Sequence, residues 1–143
     1  MKDCNSVVNP VESSAMICQE EDNQLVDKIL YRHMIGSLRY AYNSRLDIAY
    51  GVGLVSRFTK SPQHAYLAAV KRFLRYLKGI VGYGILFPSR SDKSNCKMVG
   101  YSDADWYGDE SDKRSTTGYI FQLDNALVSW CSKKQDVVAL SSR

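Results

Sequence analysis

The spacing of apolar residues changes once along the chain, from a helical period to a strand period near Gly79. Between residues 27 and 78 apolar side chains recur at intervals of three and four, which predicts amphipathic helices. Between residues 83 and 132 they fall in short alternating runs, which predicts β-strands. The pattern therefore predicts an α+β chain, with N-terminal helices followed by an antiparallel three-stranded meander.

The first part of the chain predicts a tail and two helices. Residues 1–26 mix polar and acidic side chains around Pro10 without a clear period, which indicates a linker or mobile tail. The first predicted helix starts near Leu25 and has an apolar stripe at Leu30, Met34, Leu38 and Ala41 or Tyr42. The second begins near Asp47, a candidate cap, with a stripe at Ile48, Val52, Val55 and Phe58.

The third predicted helix, SPQHAYLAAVKRFLRYLKG, has signals at both ends. Ser61 is a candidate N-cap, Pro62 suits the first helical position, and Gly79 ends the helix. One face is apolar, made of Tyr66, Ala69, Val70, Phe73, Leu74 and Leu77. Another face is basic, made of Lys71, Arg75 and Lys78 with Arg72 nearby, and the helix contains no acid. This pattern suits a polyphosphate partner, and it equally suits a solvated face whose cations favour the helix C-terminus.

Four short segments beyond Gly79 have strand character. They are YGILFP at 83–88, CKMVGYSDADW at 96–106, STTGYIFQL at 115–123 and LVSWCS at 127–132. RSDKSN, residues 90–95, is predicted to be a loop. The last two strands are joined by Asp124, Asn125 and Ala126, of which the Asp and the Asn tolerate the positive φ of a tight hairpin. The last three strands in succession predict the meander.

The second strand raises a question, because it carries Asp103 and Asp105 two positions apart. Strand side chains alternate between faces, so both carboxylates are predicted to lie on the same face. Like charges at that spacing repel, and a divalent cation would offset the repulsion. A solvated strand end that runs into a turn explains the same residues without a metal.

Composition and charge indicate a folded intracellular protein without a membrane span. The chain has 143 residues, 45% of them hydrophobic, and a net charge of +4, which suits one ordinary folded domain or a small domain with part of another. Residues 60–100 carry eight Lys or Arg against Asp92 alone, whereas residues 1–27 carry six acids against one Lys. No apolar run approaches the roughly 18 residues of a membrane span. Four scattered cysteines favour reduced thiols in an intracellular protein, cytoplasmic or nuclear.

Several segments together resemble a known family. YRHMIGSLRYAYNSRLDIAYGVGLVSRF, AAVKRFLRYLKG, GYSDADWYGDESDKRSTTGYIF and VSWCSKKQDVVALSS resemble, in order and spacing, parts of copia-type retrotransposon polyproteins. The resemblance covers about residues 30–142 and spans the end of the reverse transcriptase and the start of the ribonuclease H domain. It implies a helical reverse transcriptase C-terminal, thumb- or connection-like segment at 27–80 and a truncated ribonuclease H-like domain at 81–143.

The resemblance implies a role for Asp103. In ribonuclease H folds an Asp on the first strand binds Mg²⁺ or Mn²⁺, and two metals held mainly by four carboxylates hydrolyse the RNA strand of an RNA–DNA hybrid. Asp103 stands at that place, whereas Asp105 is a neighbour without a catalytic role, and Asp109 and Asp112 are interpreted as loop residues. In the family, the VALSS segment leads into a helix that opens with a Glu-Ala-Glu-Tyr block and carries the second metal ligand. That block is absent from this sequence.

Three hypotheses follow from this comparison. The first is a polyprotein fragment that is inactive alone, binds metal weakly and leaves its sheet uncovered, which would promote association. The second is a weak nucleic-acid-binding remnant that contacts phosphates through Lys71, Arg72, Arg75 and Lys78. The third is a nuclease that another chain completes.

Overall fold

The computed structural model describes residues 4–11, 26–89, 96–109 and 112–141. The chain divides into two compact units, Met1–Gly84 and Ile85–Arg143. The first unit contains the helices, and the second contains a three-stranded antiparallel sheet. This order confirms the predicted α+β architecture of N-terminal helices followed by a meander. The finer division at residues 26 and 80 stays a prediction.

The described residues of the first unit form three α-helices and one short 3-10 helix. They are α1 (Lys28–Ala41), a 3-10 helix (Leu46–Ile48), α2 (Ala49–Ser56) and α3 (His64–Gly79). Asp27 caps α1, because its carboxylate accepts hydrogen bonds from the backbone N–H of Ile29 at 2.8 Å and of Leu30 at 3.3 Å. Within the described residues, no helix combines the length and the apolar character that crossing a bilayer requires.

All three α-helices contribute to one hydrophobic core. Its buried members are Tyr31, Ile35, Leu38, Ile48, Val52, Val55, Leu67, Val70 and Phe73. The predicted stripe of α1 was partly wrong, because Leu30 is 50% exposed and Tyr31 is buried in its place. The Tyr31 hydroxyl donates to the carbonyl of Val55 at 2.8 Å, which satisfies its polar end inside the core. Burial raises the pKa of Tyr31 above its ordinary value.

The predicted start of α3 and the predicted cap of α2 were wrong. Gln63 precedes α3 with extended backbone (φ −101°, ψ 166°), so the helix begins at His64 and Pro62 lies outside it. Asp47 lies within the 3-10 helix, where it accepts from Arg45 Nε at 2.9 Å and from the Tyr76 hydroxyl at 2.6 Å. Burial opposes ionisation of Asp47, but these hydrogen bonds outweigh it and lower the pKa of the carboxyl.

The second unit consists of β1 (Met98–Asp105), β2 (Thr116–Leu123) and β3 (Ala126–Lys134), hydrogen-bonded in that order. The segment YGILFP, predicted as a strand, is irregular, and Leu86 and Phe87 are exposed. A strand needs a partner for its backbone groups, and the sheet gives this segment none. The predicted loop at 90–95 lies outside the described residues.

Strands β1 and β2 leave much apolar surface in contact with solvent. Tyr101 is 57% exposed, and Tyr119 and Phe121, whose rings lie 5.4 Å apart, are 37% and 39% exposed. Among the described residues of this unit, Ser115 and Ala126 are the buried ones. Association through this sheet stays a prediction.

The hairpin between β2 and β3 turns at the predicted Asp124 and Asn125, but the turn is one residue shorter than predicted because Ala126 belongs to β3. Leu123 pairs with Ala126, and the residues between them, Asp124 and Asn125, have φ angles of 51° and 70°. These values fit a type I′ turn, in which both central residues are left-handed.

Replacement of Asn125 by Val should therefore lower the free energy of unfolding by about 1–2 kcal/mol, because a β-branched residue is strained at this φ. Asn125→Gly should change it little or raise it slightly. Urea denaturation of both variants measures the difference, and equal stability of the two would contradict the turn assignment.

Candidate metal-binding strand and basic helix

Asp103 lies on β1 with open space beside it. It pairs with Gly118 of β2, which in turn pairs with Ser132 of β3. Residues paired in this way share a face of the sheet, so small residues occupy the row next to the carboxylate. Asp103 is exposed, and one of its carboxylate oxygens accepts a hydrogen bond from the N–H of Ala104 at 2.9 Å. The strand thus presents a carboxylate to solvent.

A carboxylate oxygen is a hard donor of the kind that Mg²⁺ and Mn²⁺ prefer. Within the part of the chain that the structure describes, no group of three His, Cys, Asp or Glu side chains lies close enough to hold a metal ion. Mg²⁺ is commonly held by one or two carboxylates together with substrate phosphates. Asp103 thus fits one ligand of such a site, and its role stays a proposal.

Asp105 is on the same strand, but its carboxylate stabilises the pairing of β1 with β2. One of its carboxylate oxygens accepts a hydrogen bond from the backbone N–H of Thr116, at the first residue of β2. The Asp105 carboxyl group also lies so close to Gly108 that a Cβ on residue 108 would collide with it. Glycine at this position therefore allows the chain to turn closely around the carboxyl group. The two carboxylates therefore differ, because Asp105 accepts a hydrogen bond from β2 whereas Asp103 accepts one from the next residue of its own strand.

Asp109 and Asp112 lie in the loop between β1 and β2, where both form ion pairs with Lys134 of β3. The distance from Lys134 Nζ to the Asp112 carboxylate is 2.7 Å. The hydrogen bond from Lys134 lowers the pKa of the Asp112 carboxyl. These ion pairs hold the described part of the loop against the sheet, and no local pattern in the sequence indicated them because Lys134 is 22 to 25 residues away.

The basic face of α3 contacts the N-terminal strap, the name used here for residues 4–11. Three cations donate to three different backbone carbonyls of the strap: Arg72 Nε to Asn9 at 3.0 Å, Arg75 Nε to Asn5 at 2.8 Å, and Lys78 Nζ to Cys4 at 2.8 Å. The fourth predicted residue, Lys71, is exposed. The structure thus brings Arg72, Arg75 and Lys78 together as donors to one extended segment.

Two glycines allow the strap to approach the helices closely. A Cβ on Gly51 of α2 would lie 2.8 Å from Val11 Cγ2, and a Cβ on Gly79 of α3 would lie 2.9 Å from Ser6 Cβ. Val11 packs against the hydrophobic core. The sequence predicted a linker or mobile tail over residues 1–26, of which residues 1–3 and 12–25 lie outside the described residues. The structure places the strap against α2 and α3.

The chain is similar along most of its length to transposon polyproteins. It is 40% identical over 136 residues to the retrovirus-related Pol polyprotein from transposon RE1 of Arabidopsis thaliana, a match that covers 95% of this chain and 9% of that polyprotein. It is 37% identical over 149 aligned residues to the Pol polyprotein from transposon TNT 1-94 of Nicotiana tabacum, which covers 99% of this chain and 11% of that one. No protein-family model and no solved structure matches the chain.

A shorter relative is matched over most of its own length. The secreted RxLR effector protein 161 of Plasmopara viticola is 45% identical over 113 residues, which make up 78% of each chain. The chain spans about a tenth of the length of the Pol polyproteins that it matches. Nearly the whole of this chain aligns with each of these polyproteins, so we conclude that it belongs to the copia-type retrotransposon Pol polyprotein family.

Proposed function

We propose that this transposon-derived chain supplies the end of a reverse transcriptase and the opening sheet of a ribonuclease H-like domain. In this proposal Asp103 is the first metal ligand. The supporting observation is the position of Asp103, which is exposed on the first strand of an antiparallel meander beside a row of small residues. A hydrated divalent ion and a phosphate group both need such open space next to a carboxylate.

Asp103 would bind Mg²⁺ or Mn²⁺ through a carboxylate oxygen. The bound metals would activate water and stabilise the charge that develops on the phosphate during hydrolysis of the RNA strand. The hydrogen bond from Ala104 N–H to the Asp103 carboxylate would hold that carboxylate in one orientation. The other carboxylates of a two-metal site have no counterpart around Asp103 among the described residues.

A cleavage assay tests this proposal directly. The substrate is an RNA–DNA hybrid with labelled RNA, in Mg²⁺ or Mn²⁺. The proteins are this chain, the chain extended by the segment that follows the matching region in the RE1 polyprotein, and a mixture of this chain with that segment. We expect metal-dependent cleavage by the extended chain and none by this chain alone.

Each remaining outcome has a defined meaning. Cleavage by the mixture but not by either component would show that a second chain completes the site. Cleavage by this chain alone would show that the missing ligands lie within it, contrary to the fragment hypothesis. An extended chain that is folded and inactive would contradict the ribonuclease H proposal.

A second candidate function is weak binding of nucleic acid by α3. The observation that favours it is the convergence of Arg72, Arg75 and Lys78 on a row of oxygen acceptors along one extended segment. A nucleic-acid backbone is also an extended segment with a row of oxygen acceptors, and its oxygens are anionic. Such contacts would position the nucleic acid without reading its sequence.

The triple variant Lys71→Gln, Arg75→Gln and Lys78→Gln tests this function. Each phosphate contact that is lost should reduce the slope of log K against log salt concentration by about 0.9 for a duplex. We therefore expect the slope to fall by about 2 to 3, as measured by fluorescence anisotropy with a labelled hybrid. An unchanged slope would show that these cations do not contact the phosphates of the hybrid.

A further inference from the structure

We propose that the N-terminal strap is a competitor, within the chain itself, for the nucleic-acid-binding face of α3. The proposal rests on the binding function proposed above and adds its regulation. Arg72, Arg75 and Lys78 each donate to a strap carbonyl at 2.8–3.0 Å, so these bonds must be exchanged before the same N–H groups can contact phosphate. The strap and a nucleic acid therefore compete for these three N–H groups, although each arginine also carries Nη donors and Lys78 other N–H groups.

The strength of the competition depends on the chemistry of the two acceptors. Residues 4–11, CNSVVNPV, contain no charged side chain, so what this segment offers the cations is a set of neutral backbone carbonyls. Phosphate oxygens are anionic and attract guanidinium and ammonium groups more strongly than carbonyls do. The strap compensates by being tethered, because attachment to the same chain gives it an effective concentration on the order of millimolar. A polyanion with several phosphates can displace it, whereas a single phosphate competes poorly.

Gly79 offers a way to release the strap without altering the cations. The three atoms nearest to a Cβ at this position all belong to the strap: Ser6 Cβ at 2.9 Å, Ser6 Oγ at 3.5 Å and the Val7 carbonyl oxygen at 3.8 Å. Gly79 is the last residue of α3, where Leu has a higher helix propensity than Gly. A leucine here should therefore collide with the strap while it favours the helix. Gly82 is a matched control, because no atom lies within 4 Å of a Cβ there.

The experiment uses the full chain and a fluorescein-labelled 20-base-pair RNA–DNA hybrid. Binding is measured by anisotropy for the wild type, Gly79→Leu, Gly82→Leu and the triple Gln variant. We expect Gly79→Leu to bind the hybrid about 5- to 20-fold more tightly than the wild type. In this variant the basic face of α3 is already free of the strap, so no strap contact has to break before the hybrid binds. Gly82→Leu should bind as the wild type does. NMR amide shifts of residues 4–11 should move to random-coil values in Gly79→Leu, and also in the wild type when hybrid is added.

The outcomes separate the two proposals. If Gly79→Leu releases residues 4–11 but binds no more tightly than the wild type, while the triple Gln variant binds less, the strap inference is wrong and the binding function stands. If residues 4–11 keep their shifts when the wild type is saturated with hybrid, the strap inference is also wrong. If the triple Gln variant binds as well as the wild type, or if no form binds the hybrid, the binding function itself is wrong.

Discussion

In the chain extended with the following polyprotein segment, Asp103→Asn should reduce metal-dependent hybrid cleavage by at least about 100-fold. Loss of groups that merely support metal ligands costs 10- to 100-fold in affinity or activity, and a ligand should cost at least as much. The substitution keeps the size of the side chain but removes the negative charge that holds the metal. Because Asp103 is exposed and its carboxylate bonds only to the adjacent backbone in the contacts described above, the melting temperature should stay within a few degrees of the parent value.

The matched control is Asp136→Asn, which removes a charge of the same sign from another exposed carboxylate of the second unit. It should leave cleavage within about twofold of the parent, since Asp136 lies two residues beyond the end of β3 and has no proposed role in metal binding. Equal loss of activity in both variants would indicate a general effect of charge. Full activity of Asp103→Asn would exclude Asp103 as a metal ligand.

Replacement of Phe73 by Ala should lower the free energy of unfolding of the helical unit by about 3–5 kcal/mol. The Phe73 side chain is buried in the core formed by the three helices, and its ring lies directly over Gly51. Its removal loses hydrophobic burial and leaves a cavity that helices fixed by other contacts cannot fill completely.

Leu30→Ala is the control for this experiment, because Leu30 belongs to the same unit but is half exposed. It should change the free energy of unfolding by about 1 kcal/mol or less. Urea denaturation followed by helical circular dichroism measures both variants. A larger loss for Leu30→Ala than for Phe73→Ala would contradict the structure, in which Phe73 is buried and Leu30 is half exposed.

Features with local causes were predictable from the sequence. The apolar stripe of α3 was predicted because residues on one helix face recur at fixed spacing, and Val70 and Phe73 are indeed buried. The hairpin at Asp124 and Asn125 was predicted because few residues other than Gly tolerate left-handed backbone. In both cases a few neighbouring residues determine the structure.

Features that depend on distant residues were missed. In α1 the spacing allows two overlapping stripes that share Leu38, and packing against α2 selects the one with Tyr31, whose hydroxyl reaches the carbonyl of Val55. The N-terminal strap has no periodicity and no charge, so nothing in it indicates contacts with cations 63 to 74 residues away. For the same reason the sequence could place Asp103 and Asp105 on one strand but could not show that the second bonds to Thr116.

The position of β1 at the side of the sheet also affects solubility. This strand pairs only with β2 in the described sheet, so one row of its backbone N–H and C=O groups is available to a strand from another molecule. Such pairing leads to aggregation, and charged side chains along an outer strand oppose it by mutual repulsion. Asp103 and Asp105 place two negative charges near the end of β1. These two carboxylates would therefore also oppose pairing between the edges of two copies of this sheet, which is distinct from association through its apolar face.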